Sequence, residues 1–261
     1  MLEALIALCF GLIIGSFLNV CIFRLPRDLS VVAPRSFCIE CEKTIAPYDL
    51  IPIFSYVILG GKCRHCGAGI SWRYPLVELL NGLLFGFAVL EFGPTIAALK
   101  LCVFGAILIT LIFMDLADRI LADEFTIGGT AAGLLFAWFA PLPPGLASLF
   151  STSTNKQLNS LYEALLGAGV PTVCMFLLGF FYQKVRKRDG LGLGDVKMVA
   201  MIGSFQGLIQ GIFSLMVGSV LGSVIGLIFM LLRKKDFSSY ELPFGTFLGV
   251  GALAVAVLGL Q

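Results

Sequence analysis

Asp195 stands directly after three alternating glycines, in Gly190-Leu-Gly192-Leu-Gly194-Asp195-Val-Lys197, where a basic stretch (Lys184, Arg186, Lys187, Arg188) hands over to an apolar run. Glycines let backbone and substrate approach closely because no Cβ stands in the way. A carboxylate at the edge of hydrocarbon is costly and marks a functional site by default. Locally, the same run also reads as a flexible turn with a helix-capping Asp. A second boundary carboxylate, Asp115, ends an apolar run in Leu111-Ile-Phe-Met-Asp115-Leu-Ala-Asp118-Arg119. Two carboxylates at matching depth on different helices can share one proton across a water, since like charges at close range do not both ionise. Taken alone, Asp115 equally marks a membrane boundary and pairs with Arg119, its i,i+4 partner. The chain has one histidine, His65, inside a cysteine motif. Ser-His-Asp, Cys-His and His-rich zinc catalysis are therefore disfavoured, and acid–base work falls to carboxylates.

The second chemical constellation is Cys38-Ile-Glu-Cys41 and Cys63-Arg-His-Cys66, two Cys-x-x-Cys pairs separated by 21 residues. Each pair suits a tight knuckle, and together they suit one tetrahedral Zn²⁺. With all four positions filled by sulfur the site is structural, and His65 needs no role as a ligand. The rival is a disulfide framework, disfavoured if the loop faces a reducing compartment. Cys9, Cys21, Cys102 and Cys174 sit in apolar runs and read as small core residues.

The elements that must position these groups are membrane helices. The 261-residue chain is 58% apolar with a mean hydropathy of +0.98 and 13% charged residues, about half the charged share of a soluble domain. The composition predicts an all-α polytopic membrane protein with no nucleic-acid partner. Apolar runs of spanning length lie at 2–23 and near 75–92, 95–114, 124–140, 161–183, 208–232 and 243–261, with a shorter piece at Val196–Phe205. They predict about eight transmembrane helices. Leu2–Phe23 carries Glu3 rather than a basic residue at its start and precedes Arg24 and Arg27, the wrong arrangement for a cleaved signal peptide. It reads as a retained span with its N-terminus outside. Segments 24–74, 115–123, 184–197 and 233–242 then share one side and hold sixteen of the eighteen Lys and Arg residues, which makes that side cytoplasmic. The predicted organisation is a first helix (1–23), a cytoplasmic zinc-binding loop (24–74) and a transmembrane core (75–261). Leu50–Leu59 is too short to span and is expected at the interface or on the bundle. Pairs such as Gly11 with Gly15, Gly129 with Gly133 and Gly218 with Gly222 read as helix-packing faces.

Gly192-Leu-Gly194-Asp195-Val-Lys197, the boundary Asp115, and Leu242-Pro-Phe-Gly245 before the last run together resemble the type IV prepilin peptidases, membrane aspartyl proteases of the Gly-x-Gly-Asp class. Gly15-Ser-Phe-Leu-Asn19-Val, the double Cys-x-x-Cys loop and Tyr74-Pro-Leu-Val-Glu78-Leu-Leu resemble the same family's N-terminal part, in the same order. The resemblance implies an enzyme of the bacterial inner membrane. It would cut the leader from type IV prepilins or type II secretion pseudopilins at the cytoplasmic face, with Asp115 and Asp195 as the catalytic pair in a core spanning 75–261. It further implies methylation of the new N-terminal amine with S-adenosylmethionine, for which Asn19 and Glu78 are methyltransferase or structural residues. No Gly-rich nucleotide fingerprint supplies that cofactor's pocket. Ala122 departs from the family, where most members carry Pro. Gly190, Gly192, Gly194 and Lys197 form the active-site loop, the glycines pairing with an extended substrate or simply flexing, and Lys197 steadying Asp195 or reaching lipid. Helix ends predict Asp115, at a C-terminus, as the protonated partner and Asp195, at an N-terminus, as the ionised one. Rival classes are an ion-coupled transporter with an Asp proton relay and a zinc-stapled scaffold.

Overall fold

The computed structural model describes residues 1–146, 155–187, 192–233 and 243–258. Among them the regular structure is helical: α1 Leu2–Arg24, α2 Phe54–Ile58, α3 Arg73–Phe92, α4 Ile96–Asp118, α5 Asp123–Phe139, α6 Lys156–Arg186, α7 Leu193–Gln206, α8 Leu208–Arg233 and α9 Phe244–Val257. Two isolated antiparallel bridges, Phe37 with Thr44 and Lys62 with Gly69, complete it. Five of the described helices, α1, α3, α4, α6 and α8, are long and apolar enough to cross a bilayer. The predicted spans at 124–140, 196–205 and 243–261 correspond to helices of 17, 14 and 14 residues. Fourteen residues rise only about 21 Å, short of a hydrocarbon core of about 30 Å. The chain divides into two compact units, Met1–Thr110 and Leu111–Gln261, with the boundary inside α4.

In the first unit α1 packs along α3. A Cβ at Gly11 would lie 2.8 Å from the Asn81 carbonyl oxygen, and one at Gly15 would lie 2.7 Å from the Glu78 Cα. The small-residue spacing is thus a packing face that lets the two backbones approach. On the opposite side of α1, Leu5, Ile6, Phe10, Ile13 and Phe17 are each at least 50% exposed, while Asn19, Glu78 and Asn81 are buried. Apolar outside and polar inside is the arrangement a bilayer solvates. After α1 the buried Arg24 donates to the carbonyls of Ser30 (2.7 Å) and Pro34 (2.8 Å), turning the chain into the cysteine segment. The Leu50–Leu59 stretch follows on from a short 3₁₀ turn, Pro47–Leu50, and forms α2, whose Phe54, Val57 and Ile58 are exposed.

In the second unit α7 is the centre, in contact with α5, α6, α8 and α9. From Val196 to Gln206 it is buried on nearly every side, as expected of a helix that is apolar all round. Gly167 of α6 and Gly203 of α7 meet backbone to backbone, and Gly133 of α5 faces Ser204 and Phe205. A buried relay ties α7 to its neighbours: Ser214 donates to Gln206 (2.6 Å), and Gln206 donates to the Ala252 carbonyl (3.0 Å). α6 starts at Asn155, whose side chain accepts from the Gln157 and Leu158 N–H groups, the usual satisfaction of orphan donors at a helix start.

Candidate active site

Asp115 lies in the last turns of α4, and the helix stops where Arg119 takes a left-handed φ of 55°. Asp195 lies in the first turn of α7, whose N-cap is Gly192 in an extended conformation. Asp195 is therefore not the capping residue, and neither Gly192 nor Gly194 takes a left-handed turn. What these glycines supply is proximity: a Cβ on Gly192 would stand 3.3 Å from Asp195 Oδ2, and one on Gly194 would stand 3.2 Å from Leu121 Cβ. Gly190 lies outside the described residues. Both carboxylates line one cavity of about 380 Å³, together with Gly192, Gly194, Lys197 and Phe244. Arg119 and Asp123 line it as well, and the charge of Asp115 is felt at Asp195.

Asp115 is held by a residue that no sequence motif singled out. Its Oδ2 accepts the Thr246 N–H (2.6 Å) and the Thr246 Oγ1–H (2.8 Å), both buried. Thr246 sits in the first turn of α9, so the Asp115 carboxylate occupies that helix's N-terminus, where free N–H groups and the dipole favour an anion. Helix ends read from the sequence placed Asp115 only at the close of α4; the tertiary contact adds the opposite pole of α9. Gly245 makes room for this contact, since a Cβ there would lie 3.2 Å from Asp115 Oδ2, which explains the glycine in Leu242-Pro-Phe-Gly245. Arg119, the sequence neighbour, also acts on Asp115 electrostatically. Lys197 pairs with Asp123 in the first turn of α5, its Nζ 2.6 Å and 2.9 Å from the two oxygens. It thus ties the start of α7 to the start of α5. Ala122, where proline was expected, is the N-cap of α5 in an extended conformation.

The four predicted cysteines converge in the first unit. Their Sγ atoms lie within 4.8 Å of one another, and all are free thiols. Sulfurs at about 2.3 Å from a tetrahedral Zn²⁺ are about 3.8 Å apart, and Cys38 Sγ stands 3.8 Å from Cys66 Sγ. The two knuckles are built alike. In each, the first cysteine donates its N–H past the turn (Cys38 to Lys43, Cys63 to Ala68), and its carbonyl accepts from a residue in left-handed φ (Glu42 at 58°, Gly67 at 73°). The N–H groups of Cys66 and His65 hold the Cys63 thiol down at about 6, which favours the metal-binding thiolate. Arg64 points away from the cluster and grips Asp49 with two bonds of 2.6 Å and 2.8 Å. The cluster can hold a metal ion.

Asn19 and Glu78 are not brought into either site. Asn19, 2% exposed, donates to the Tyr74 carbonyl (3.0 Å), linking α1 to the start of α3. Glu78 Oε2 accepts the Ile53 N–H at 2.7 Å, steadying a residue with a φ of 60° at the start of α2.

An all-helical membrane protein with a paired-carboxylate cavity and a four-thiol cluster is the class that fold and sites define. Two family models match consecutive parts of it: the Bacterial Peptidase A24 N-terminal domain over residues 9–92 and the Type IV leader peptidase family over residues 102–231. A "Type 4 prepilin-like proteins leader peptide-processing enzyme" of Escherichia coli O78:H11 is 34% identical over 95% of this chain and 91% of its own. A "Prepilin leader peptidase/N-methyltransferase" of Pseudomonas aeruginosa is 30% identical over 98% of this chain and 91% of its own. The protein of the same name from Myxococcus xanthus is 39% identical over 78% of this chain, which spans 56% of that relative's length. No solved structure matches the chain. The chain belongs to the type IV leader peptidase family.

Proposed function

We propose that this protein is a membrane aspartic endopeptidase that removes the leader peptide from type IV prepilins or type II secretion pseudopilins and N-methylates the new terminal residue. The observation that carries the peptidase activity is the single cavity lined by both Asp115 and Asp195, in a chain whose relatives are named for leader-peptide processing. The enzyme sits in the bacterial inner membrane with about eight membrane-embedded helices, of which the 14-residue α7 and α9 reach only part of the way across, and works at its cytoplasmic face.

Thr246 fixes one oxygen of Asp115 as an acceptor. Two donors at the start of α9 favour an anion at Asp115, which supports Asp115 as the base that takes a proton from the attacking water and Asp195 as the holder of the shared proton, delivered to the departing amine. This exchanges the roles that helix ends alone predicted. Gly192 and Gly194 leave the backbone beside Asp195 open to an extended peptide. Lys197, pinned by Asp123, holds the start of α7 in register.

Cys38, Cys41, Cys63 and Cys66 hold a structural Zn²⁺ that staples the segment between α1 and α3. S-adenosylmethionine would supply the methyl group. Asn19 donates its amide N–H to the Tyr74 carbonyl while its Oδ1 is buried without a partner among the described residues, and Glu78 accepts from Ile53; no step of methyl transfer is assigned to either.

The test is cleavage of a prepilin-like peptide in liposomes by wild type, Asp115→Asn and Asp195→Asn, with mass spectrometry reading cut and methylated products. Both variants are expected to lose cutting by at least about 10³-fold while keeping fold and metal content. Wild-type cutting by either variant overturns the dyad.

A further inference from the structure

The turn between α4 and α5 runs from Arg119 to Ala122, and bonds on either side of it reach the two helix starts beside the cavity. Before the turn, Asp115 accepts from Thr246 of α9 at 2.6 Å and 2.8 Å. After it, Asp123 accepts from Lys197 of α7 at 2.6 Å. Both contacts pull, drawing the starts of α7 and α9 in upon the turn. What stops them is one side chain. A Cβ on Gly194 of α7 would lie 3.2 Å from Leu121 Cβ and 3.4 Å from its Cδ1, and a Cβ on Gly245 of α9 would lie 3.1 Å from the same Cδ1. Each glycine stands one position before a residue of the site: Gly194 before Asp195, and Gly245 before Thr246, the donor to Asp115.

Two further features separate Leu121 from ordinary filling. Its neighbour Ile120 is 45% exposed, whereas Leu121 is half-buried, so of these two apolar residues it is Leu121 that is turned in upon the glycines. Arg119 opens the turn in a left-handed conformation, φ 55°, which is uncommon for a residue with a side chain and persists where the surroundings fix it. Ala122 closes the turn, extended, as the N-cap of α5. The backbone that carries Leu121 is thus set at both ends.

Carbon atoms attract down to about 3.5–4.0 Å and repel inside that distance, so the bulk of Leu121 limits how closely the starts of α7 and α9 approach. We infer that Leu121 is the spacer of the carboxylate pair, a positioning residue whose side chain sets the separation of Asp195 from Asp115. That separation decides how strongly two carboxylates share one proton. The inference rests on the peptidase function proposed above.

The test compares Leu121→Ala, Gly194→Ala, the two together and Leu121→Met in the full-length enzyme in liposomes, reading the pH dependence of kcat on a prepilin-like peptide. Leu121→Ala lets the aspartates close up. A misplacement of about 1 Å costs on the order of 100-fold, so kcat is expected to fall about 10- to 100-fold with KM little changed. The two limbs of the pH–rate profile are expected to move apart as the coupling strengthens. Gly194→Ala adds bulk at the same contact and is expected to draw the limbs together. In the double variant the opposite displacements offset, and the limb spacing is expected to return toward that of wild type, whereas unrelated packing losses would add. Leu121→Met conserves volume and is expected to hold kcat within about 3-fold of wild type. Arg119, Asp123 and Lys197, the other charged groups of the cavity, are the same in every variant. Limb spacing that does not widen in Leu121→Ala, or a double variant in which the losses simply add, overturns the spacer. Infrared titration of the protonated-carboxyl band without peptide reads the same coupling and decides the matter for any variant that cuts too slowly. Failure of wild type to cut any peptide instead overturns the peptidase function and leaves the infrared result standing.

Discussion

The thiol cluster and the carboxylate cavity are opposite solutions to placing reactive groups. The cluster is built within one stretch of loop: two knuckles with the same bond pattern bring four sulfurs within 4.8 Å of one another, enough to fill every position of a tetrahedral ion. The carboxylate cavity is built by helices far apart in sequence, with Asp115 on α4, Asp195 on α7 and Thr246 on α9, and its middle is left open. A closed, locally encoded site serves stability, since no coordination position remains for substrate. An open, tertiary site serves turnover, and its precision depends on neighbours that touch no substrate.

After the aspartates themselves, the largest effect expected is on the closed site. Cys63→Ser, or a strong chelator, should remove the bound metal and open the segment between α1 and α3. Because metal binds the folded form alone, its removal lowers the melting temperature of that module. Metal analysis with limited proteolysis reads the outcome. Unchanged protease resistance without metal would erase the contrast drawn between a stability site and a turnover site.

Next comes Thr246→Val, which removes one of the two bonds to Asp115 Oδ2. A hydrogen bond to a charged group is worth about 1.5–3 kcal/mol, so kcat should fall about 10- to 100-fold with KM little changed, and Thr246→Ser should restore most of it. The pH–rate profile should move with the Val variant, because the partner of one member of a coupled pair has gone. A loss that Ser does not rescue would indicate packing by the methyl group.

A smaller effect is expected from the Lys197–Asp123 pair. Both groups are well exposed, so its contribution to stability is slight, and what it sets is the position of the first turn of α7. Lys197→Asp and Asp123→Lys should each lower cutting about 5-fold with little change in melting temperature, and the double exchange should recover activity if geometry alone is involved. Failure of the exchange would assign Lys197 a direct part in binding substrate.

The smallest expected effect compares the two knuckles. Gly67 and Glu42 occupy equivalent left-handed positions. Gly67→Ala should destabilise the module by about 1 kcal/mol and Glu42→Gly should stabilise it by a few tenths or more, both measured as shifts in metal-dependent melting.

Much of this was legible in the chain before any coordinates. The four cysteines, the boundary carboxylates and the apolar runs are local patterns, and local patterns survive in sequence because the chemistry depends on spacing along the chain. The packing glycines of α1 were legible for the same reason, through helical periodicity. Lengths were less legible: the run near 243–261 corresponds to a helix that ends at Val257, because hydropathy does not register where a helix must stop.

The sequence by itself determined an all-helical membrane chain with a closed four-thiol cluster and two aspartates at helix ends. Only the tertiary structure decided what faces those aspartates. Thr246 lies 131 positions from Asp115 and no motif links them, yet the start of α9 gives Asp115 its two hydrogen-bond donors. Asp123 gains its place beside the cavity from Lys197, 74 positions away in the chain. Hydrogen bonds and electrostatic fields act through space, so the partner that sets a carboxylate's role need not be near it in the chain.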